Sequence, residues 1–214
     1  MKNHLPILSI ETTGDLCSTA LILDDKAFVE MNYMQKHVHS KKLIEMIDVL
    51  MNSAELTVKE LGSIAISSGP GSFTGIRIGF SAGKGLAFGA GLPIIPVPTF
   101  DAYAYQISES LSVGTQFIIA NKASSEDLYV SKSIVKENKF VVSEEVKVIS
   151  SEKFPEFQEK IDIIFGNYSK REIYLKASSI GRWAYLFGKD LLTFDYDYLE
   201  PEYFGNPFLK KNRK

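Results

Sequence analysis

The sequence predicts an α/β fold of two lobes, each built on a mixed sheet, and three observations carry that prediction. Short β-rich runs joined by tight turns open the chain. Two helical stretches with apolar periodicity then flank a buried strand, and beyond a proline-rich connector near residue 98 a second series of strands followed by a helix appears. The lobes are expected at 1–98 and 99–214, the end of the second packing back on the body. With 214 residues the chain can bury about 70% of its unfolded surface, so its core needs neither disulfides nor a structural metal. Cys17 is the single cysteine and forms no internal disulfide. The N-terminal apolar stretch before Glu11 is too short for a secretory signal, so a cytoplasmic location is expected. A net charge of −2 excludes a global field drawing the protein onto nucleic acid or a membrane.

Residues 7–13, ended by Gly14-Asp15, residues 17–23, ended by Asp24-Asp25-Lys26, and residues 27–33 read as three strands of an antiparallel meander. From Ser40 a helical period takes over, with Leu43, Met46, Ile47, Leu50 and Ala54 on one face and Ile44 and Met51 widening it. The apolar arc reaches about 160°, against about 100° for an ordinary buried stripe, so its surplus edge calls for a second partner. Thr57-Val58-Lys59-Glu60 fits a capping box, residues 63–67 a buried strand, and residues 68–74 a Gly/Pro loop that opens a long helix over 74–90.

In that helix Gly75, Gly79, Gly83, Ala87 and Gly91 recur every four residues, with Gly85 and Gly89 beside them. Interior glycines cost about 1 kcal/mol each relative to alanine, about 4–5 kcal/mol in all, which close packing must offset. A ridge without side chains admits another backbone, either the protein's own sheet or, as the sharper expectation, a helix of another subunit. Residues 92–98 hold three prolines and suit an edge strand or connector. Beyond them, 102–111 reads as a helix. Residues 116–121, 128–135, 140–143, 146–149 and 161–165 read as strands, 177–189 as an amphipathic helix, and 196–208 as an aromatic tail pinned to the body.

Few residues suggest chemistry. Gly69, Gly71, Ser72, Thr74 and Gly75 form a glycine loop between a strand and a helix N-terminus, where free N–H groups and the helix dipole favour phosphate; a plain strand-to-helix turn explains the glycines equally well. No Gly-Lys-Ser/Thr follows, so this is not a Walker loop. His37-Val38-His39 has no third ligand and matches no zinc-protease spacing, so no metal site is assigned. Cys17 lies in an apolar strand pattern and reads as an inert buried thiol. Glu11, at a strand end, suits a magnesium-bound water or a turn. Lys210, Lys211, Arg213 and Lys214 read as a solvated tail.

Ile10-Glu11-Thr12-Thr13, His39-Ser40-x-x-Leu43 and, above all, Gly69-Pro70-Gly71-Ser72-Phe73-Thr74-Gly75-Ile76-Arg77-Ile78-Gly79 resemble the TsaB (YeaZ) family. The likeness is dense over about residues 7–105 and returns weakly at Pro201-Glu202-Tyr203-Phe204, near a Pro-x-Tyr motif of that family. It implies an actin-like, sugar-kinase-type fold. It also implies a non-catalytic subunit for the threonylcarbamoyl modification of the adenosine next to the anticodon of tRNA. In that role the subunit supports its paralogue TsaD, with the ATPase TsaE joining, TsaC supplying threonylcarbamoyl-adenylate and tRNA contacted indirectly. The first-lobe helices would pair with themselves or with TsaD through Leu43, Ile44, Ile47, Met51, Ile76, Gly79, Phe80, Gly83 and Ala87. Two departures stand out: Asn121-Lys122-Ala123 and Asp127-Leu128-Tyr129 replace Asp-Ala-Arg and Glu-Val-Tyr, and Gly166-Asn167-Tyr168-Ser169 is no second glycine-rich phosphate loop. They imply no resident cofactor, at most weak nucleotide contact within the complex, and no independent catalysis. A free-standing ATP-dependent small-molecule kinase of the same fold is the alternative, and a metallopeptidase a third reading.

Overall fold

A computed structural model describes residues 4–24, 26–35, 38–137 and 141–204. The chain opens with the meander β1 (Ile7–Glu11), β2 (Leu16–Ile22) and β3 (Phe28–Met34), then α1 (His39–Ser53). A 3₁₀ turn (Val58–Glu60) follows, with the capping box in place: the Thr57 backbone N–H and hydroxyl both donate to Glu60 Oε2 at 2.8 Å. Next come β4 (Ser63–Gly69), α2 (Phe73–Ala90), β5 (Ile94–Pro98) and α3 (Thr99–Ser108). A second set contains β6 (Gln116–Lys122), β7 (Asp127–Val135), β8 (Val141–Ser143), β9 (Lys147–Ser150), α4 (Phe154–Gln158) and β10 (Ile164–Phe165), and α5 (Ala177–Phe187) follows.

The first sheet has the order β3-β2-β1-β4-β5, antiparallel across β3-β2-β1 and parallel across β1-β4-β5. β5 is its edge, which accommodates prolines, and its end is capped by a bridge from Ile94 to Thr193. The second sheet runs β10-β6-β7-β8, and β9 pairs with the other half of the β7 edge that holds β8. Side chains alternate along the strands as the pleat dictates. In β1, Leu8 and Ile10 join the core beneath α1 and α2, whereas Ile7 joins the core beneath α3 and α5. That second core also takes Phe117 and Ile119 of β6, so α3 and α5 lie between the two sheets. α5 therefore returns to the first sheet: an alanine Cβ at Gly181 would sit 2.4 Å from Ile22, and Ala177 N donates to Ser18 Oγ at 2.8 Å.

Two expectations shift. The helix expected from residue 102 begins at Thr99, because Pro98 supplies the preset turn before it and Thr99, Phe100 and Ala102 already enter the core. The 3₁₀ turn and α4 over residues 151–158 went unread, since their apolar side chains Phe154 and Phe157 are too few to set a period. Residue Phe140, the His37 of the histidine pair, the tail from residue 205 and its basic cluster lie outside the described residues. Among the described residues no helix is long and apolar enough to cross a membrane.

Candidate functional site

The glycine loop leaves β4 at Gly69, whose φ of 115° lies in the region that favours glycine. Its hydrogen bonds are made within the chain. Ser72 caps α2 by accepting from Gly75 N at 3.2 Å, Ser72 N donates to Thr13 O at 2.7 Å, and Gly69 N donates to Thr99 Oγ1 at 2.9 Å. Close approach explains each glycine. A Cβ at Gly71 would lie 2.6 Å from that of Thr13, one at Gly75 would fall 1.9 Å from the Thr12 carbonyl oxygen, and one at Gly69 would be 2.5 Å from the Glu202 carbonyl oxygen. The last contact comes from the C-terminal segment, which crosses the loop with Glu202 N donating to Ser68 O at 2.8 Å. Thr74, the remaining residue of the predicted phosphate set, is exposed and faces a neighbouring groove.

Between the sheets lies a cleft of about 340 Å³ lined by the β1–β2 turn, the glycine loop, residues 121–123, Asn167 and residues 202–204. Glu11 stands at its floor, fully buried at the end of β1. Burial raises its pKa, against the opposing effect of hydrogen bonds from Ser67, from the Thr13 hydroxyl and from the Thr13 and Gly14 backbone. The carboxylate is thus used to tie the β1–β2 turn to β4: Thr13 N and Oγ1 each donate to Oε1 at 2.5 Å, and the Ser67 hydroxyl donates to Oε2. Burial, with Glu11 nearby, also raises the Tyr103 phenol, which donates to Ile173 O at 3.1 Å. Glu202, raised by burial and then by Asp101, adds another carboxyl to a lining that already holds Glu11 and Asp15, against Lys122.

A second feature lies on the opposite face of the first sheet. A groove of about 580 Å³ runs between α1 and α2, lined by Ser40, Leu43 and Ile44 and by Phe73, Thr74, Arg77, Ile78, Ser81 and Ala82. Ile44 is 55% exposed, so among the described residues the surplus edge of the α1 arc has no cover. The glycine ridge is a different matter and corrects the sharper expectation. A Cβ at Gly79 would lie 2.5 Å from Thr12 Oγ1, and one at Gly83 would lie 2.3 Å from Ile66. The furrow is filled by β1 and β4 of the same chain. Ile76, Phe80 and Ala87, together with Leu43, Ile47 and Met51, are buried in that one core, so of the predicted interface residues only Ile44 is broadly exposed. The outward stripe is offset by one residue, at Thr74, Ile78 and Ala82, flanked by Phe73, Arg77 and Ser81. Its signal is in the sequence, since these residues recur every four positions just as the glycines do, but they lack the glycines' prominence.

The remaining predicted groups have structural places. His39 is buried at the start of α1, and among the described residues no group of three or more His, Cys, Asp and Glu is assembled that could hold a metal. Cys17 is buried in β2, its thiol pushed up to about 11 by burial and by the Glu11 charge. Asp24 closes its turn by accepting from Lys26 N and Ala27 N at 2.7 Å.

Comparison with known proteins fits this architecture. The family model described as TsaD, tRNA N6-adenosine threonylcarbamoyltransferase, matches residues 33–167. The chain is 33% identical over 131 residues to the tRNA threonylcarbamoyladenosine biosynthesis protein TsaB of Haemophilus influenzae, covering 61% of this chain and 55% of that protein. It is 30% identical over 156 residues to the TsaB of Buchnera aphidicola subsp. Acyrthosiphon pisum, covering 73% and 69%. Most of the curated relatives it resembles are spanned over about half their length. YeaZ from Pseudomonas aeruginosa superposes with a TM-score of 0.75 at 18% identity, over 92% of this chain and 99% of that one, which establishes the actin-like fold.

Proposed function

The chain belongs to the TsaB family, and on that footing we propose that it is the non-catalytic subunit of a bacterial complex that makes threonylcarbamoyladenosine next to the tRNA anticodon. It binds and supports a TsaD paralogue, TsaE joins the larger assembly, and tRNA is engaged indirectly. The protein works in the cytoplasm, holds no resident cofactor, and pairs with a second copy when TsaD is absent.

The observation that carries this reading is the contrast between its two concave surfaces. In the cleft that an actin-like enzyme would use, the glycine loop spends the N–H groups of Gly69 and Ser72 on the chain itself, and Glu202 crosses it at Gly69. The groove between α1 and α2 is open, apolar and edged by Ile44. An apolar surface of this kind, beside a loop whose donors are already used within the chain, suits assembly better than turnover. Nothing in the cleft favours a free-standing kinase.

The test is co-purification of the full chain with the TsaD encoded by the same genome. Ile44→Asp places a charge at the edge of the groove and is expected to reduce association at least about tenfold, as burial of an unpaired carboxylate does. Because Ile44 is exposed, the variant should unfold at the wild-type temperature. Association undiminished by this change would overturn the reading.

A further inference from the structure

The C-terminal segment that crosses the glycine loop at Gly69 also reaches the groove. Arg77 lines the groove from α2. Its guanidinium carbon stands 3.8 Å from the centroid of the Phe73 ring and 5.9 Å from that of Tyr203, and Arg77 Nε donates to the Tyr203 hydroxyl at 3.1 Å. The two rings are themselves 5.2 Å apart. The segment bearing Tyr203 is tied on both sides, by Glu202 N to Ser68 O at 2.8 Å and by the Tyr129 hydroxyl to Phe204 O at 3.4 Å. Among the described residues no carboxylate forms an ion pair with Arg77. An exposed arginine usually samples many rotamers, and ordering it costs entropy. This one is held in place with no counter-charge among the described residues, at the end of an apolar groove.

We propose that the C-terminal segment is part of the docking surface, with Tyr203 posing Arg77 so that its two Nη groups meet a carboxylate of the partner. Nε is taken by the Tyr203 hydroxyl, which leaves the Nη edge for a bidentate, end-on approach. The occupant is a helix of the paralogous subunit whose apolar stripe fills the space between Ile44 and Ile78 and whose Asp or Glu lies at the Arg77 end. Preorganisation lets the pair form without the usual ordering cost. Tyr203 is a positioning residue that acts through Arg77. The inference rests on the docking reading above and adds to it a fixed cation and the residue that fixes it.

The experiment measures affinity of the full chain for immobilised TsaD from the same genome, at low and high salt. Arg77→Ala and Tyr203→Ala are each expected to weaken binding on the order of tenfold. The double variant is expected to be no weaker than either single one, because both remove the same interaction. Tyr203→Phe keeps the ring and loses the hydroxyl, with a loss of about threefold expected, and it serves in place of Tyr203→Ala should that variant not fold. The wild type should lose affinity with salt more steeply than Arg77→Ala. Single variants at wild-type affinity, or losses that multiply in the double variant, would overturn the proposal. Ile44→Asp separates the two levels. Lost binding there, with Arg77→Ala and Tyr203→Ala unaffected, overturns this inference alone. Retained binding in Ile44→Asp overturns the docking reading and this inference with it.

Discussion

The two sides of α2 carry the same kind of residue for opposite reasons. On the inner side Gly75, Gly79 and Gly83 sit where any side chain would strike Thr12 or Ile66, so the helix lies directly on the sheet. On the outer side Gly85 and Gly89 have nothing within 4 Å of where a Cβ would be. Glycine spacing along a helix therefore does not by itself record what approaches it, or that anything does. Here the inner repeat is explained by the fold itself. The place for a partner has to be sought among ordinary residues such as Ile44, Ile78 and Ala82.

Gly75→Ala attacks this contrast most strongly. Its Cβ would meet the carbonyl of Thr12, whose hydroxyl already donates to Gly75 O at 2.7 Å, and a backbone cannot swing aside as a side chain can. A loss of about 3 kcal/mol or more in chemical denaturation is expected, whether or not a partner is present. A stable variant that loses only partner binding would restore the ridge as an interface.

The Glu11 tie gives a smaller, pH-dependent effect. Burial raises its pKa above the unfolded value of 4.5, so the folded chain holds this proton more tightly. The resulting stabilisation is complete below pH 4.5 and is lost as pH rises through the raised value, with a slope approaching about 1.4 kcal/mol per pH unit in between. Relative to Glu11→Gln, the wild type should lose stability from pH 4.5 to pH 8 in parallel denaturation curves. A constant difference across that range would mean that Glu11 does not titrate differently in the fold. The smallest effect belongs to the outer side of α2. Gly85→Ala should stabilise by about 0.5–1 kcal/mol, raising the melting temperature, because it fills open space and gains helix propensity.

The first sheet was largely legible because its signals are local. The meander, the 57–60 capping box, the strand before the glycine loop and both long helices follow from period, caps and turns within a few residues of each other. The second sheet was readable as strands, but the sharing of one β7 edge by β8 and β9 depends on pairing over distance and left no local trace. The surplus edge at Ile44 was legible from the width of the apolar arc. The destination of the glycine ridge was not, since burial against Ile66 and burial against another molecule demand the same absence of side chain. Least legible was Tyr203 on Arg77, a contact across 126 positions between an aromatic tail and a motif arginine.

The return of α5 to the first sheet has a consequence for synthesis. The core that holds Ile7, Ala20 and Ile22 receives its last helix, α5, about eighty residues after β5 is complete. At about 5–20 residues per second the ribosome leaves that face of the sheet covered in part, with α3 made and α5 still to come, for roughly 4–16 s. The nascent chain therefore passes through a half-clad stage that the late helix completes.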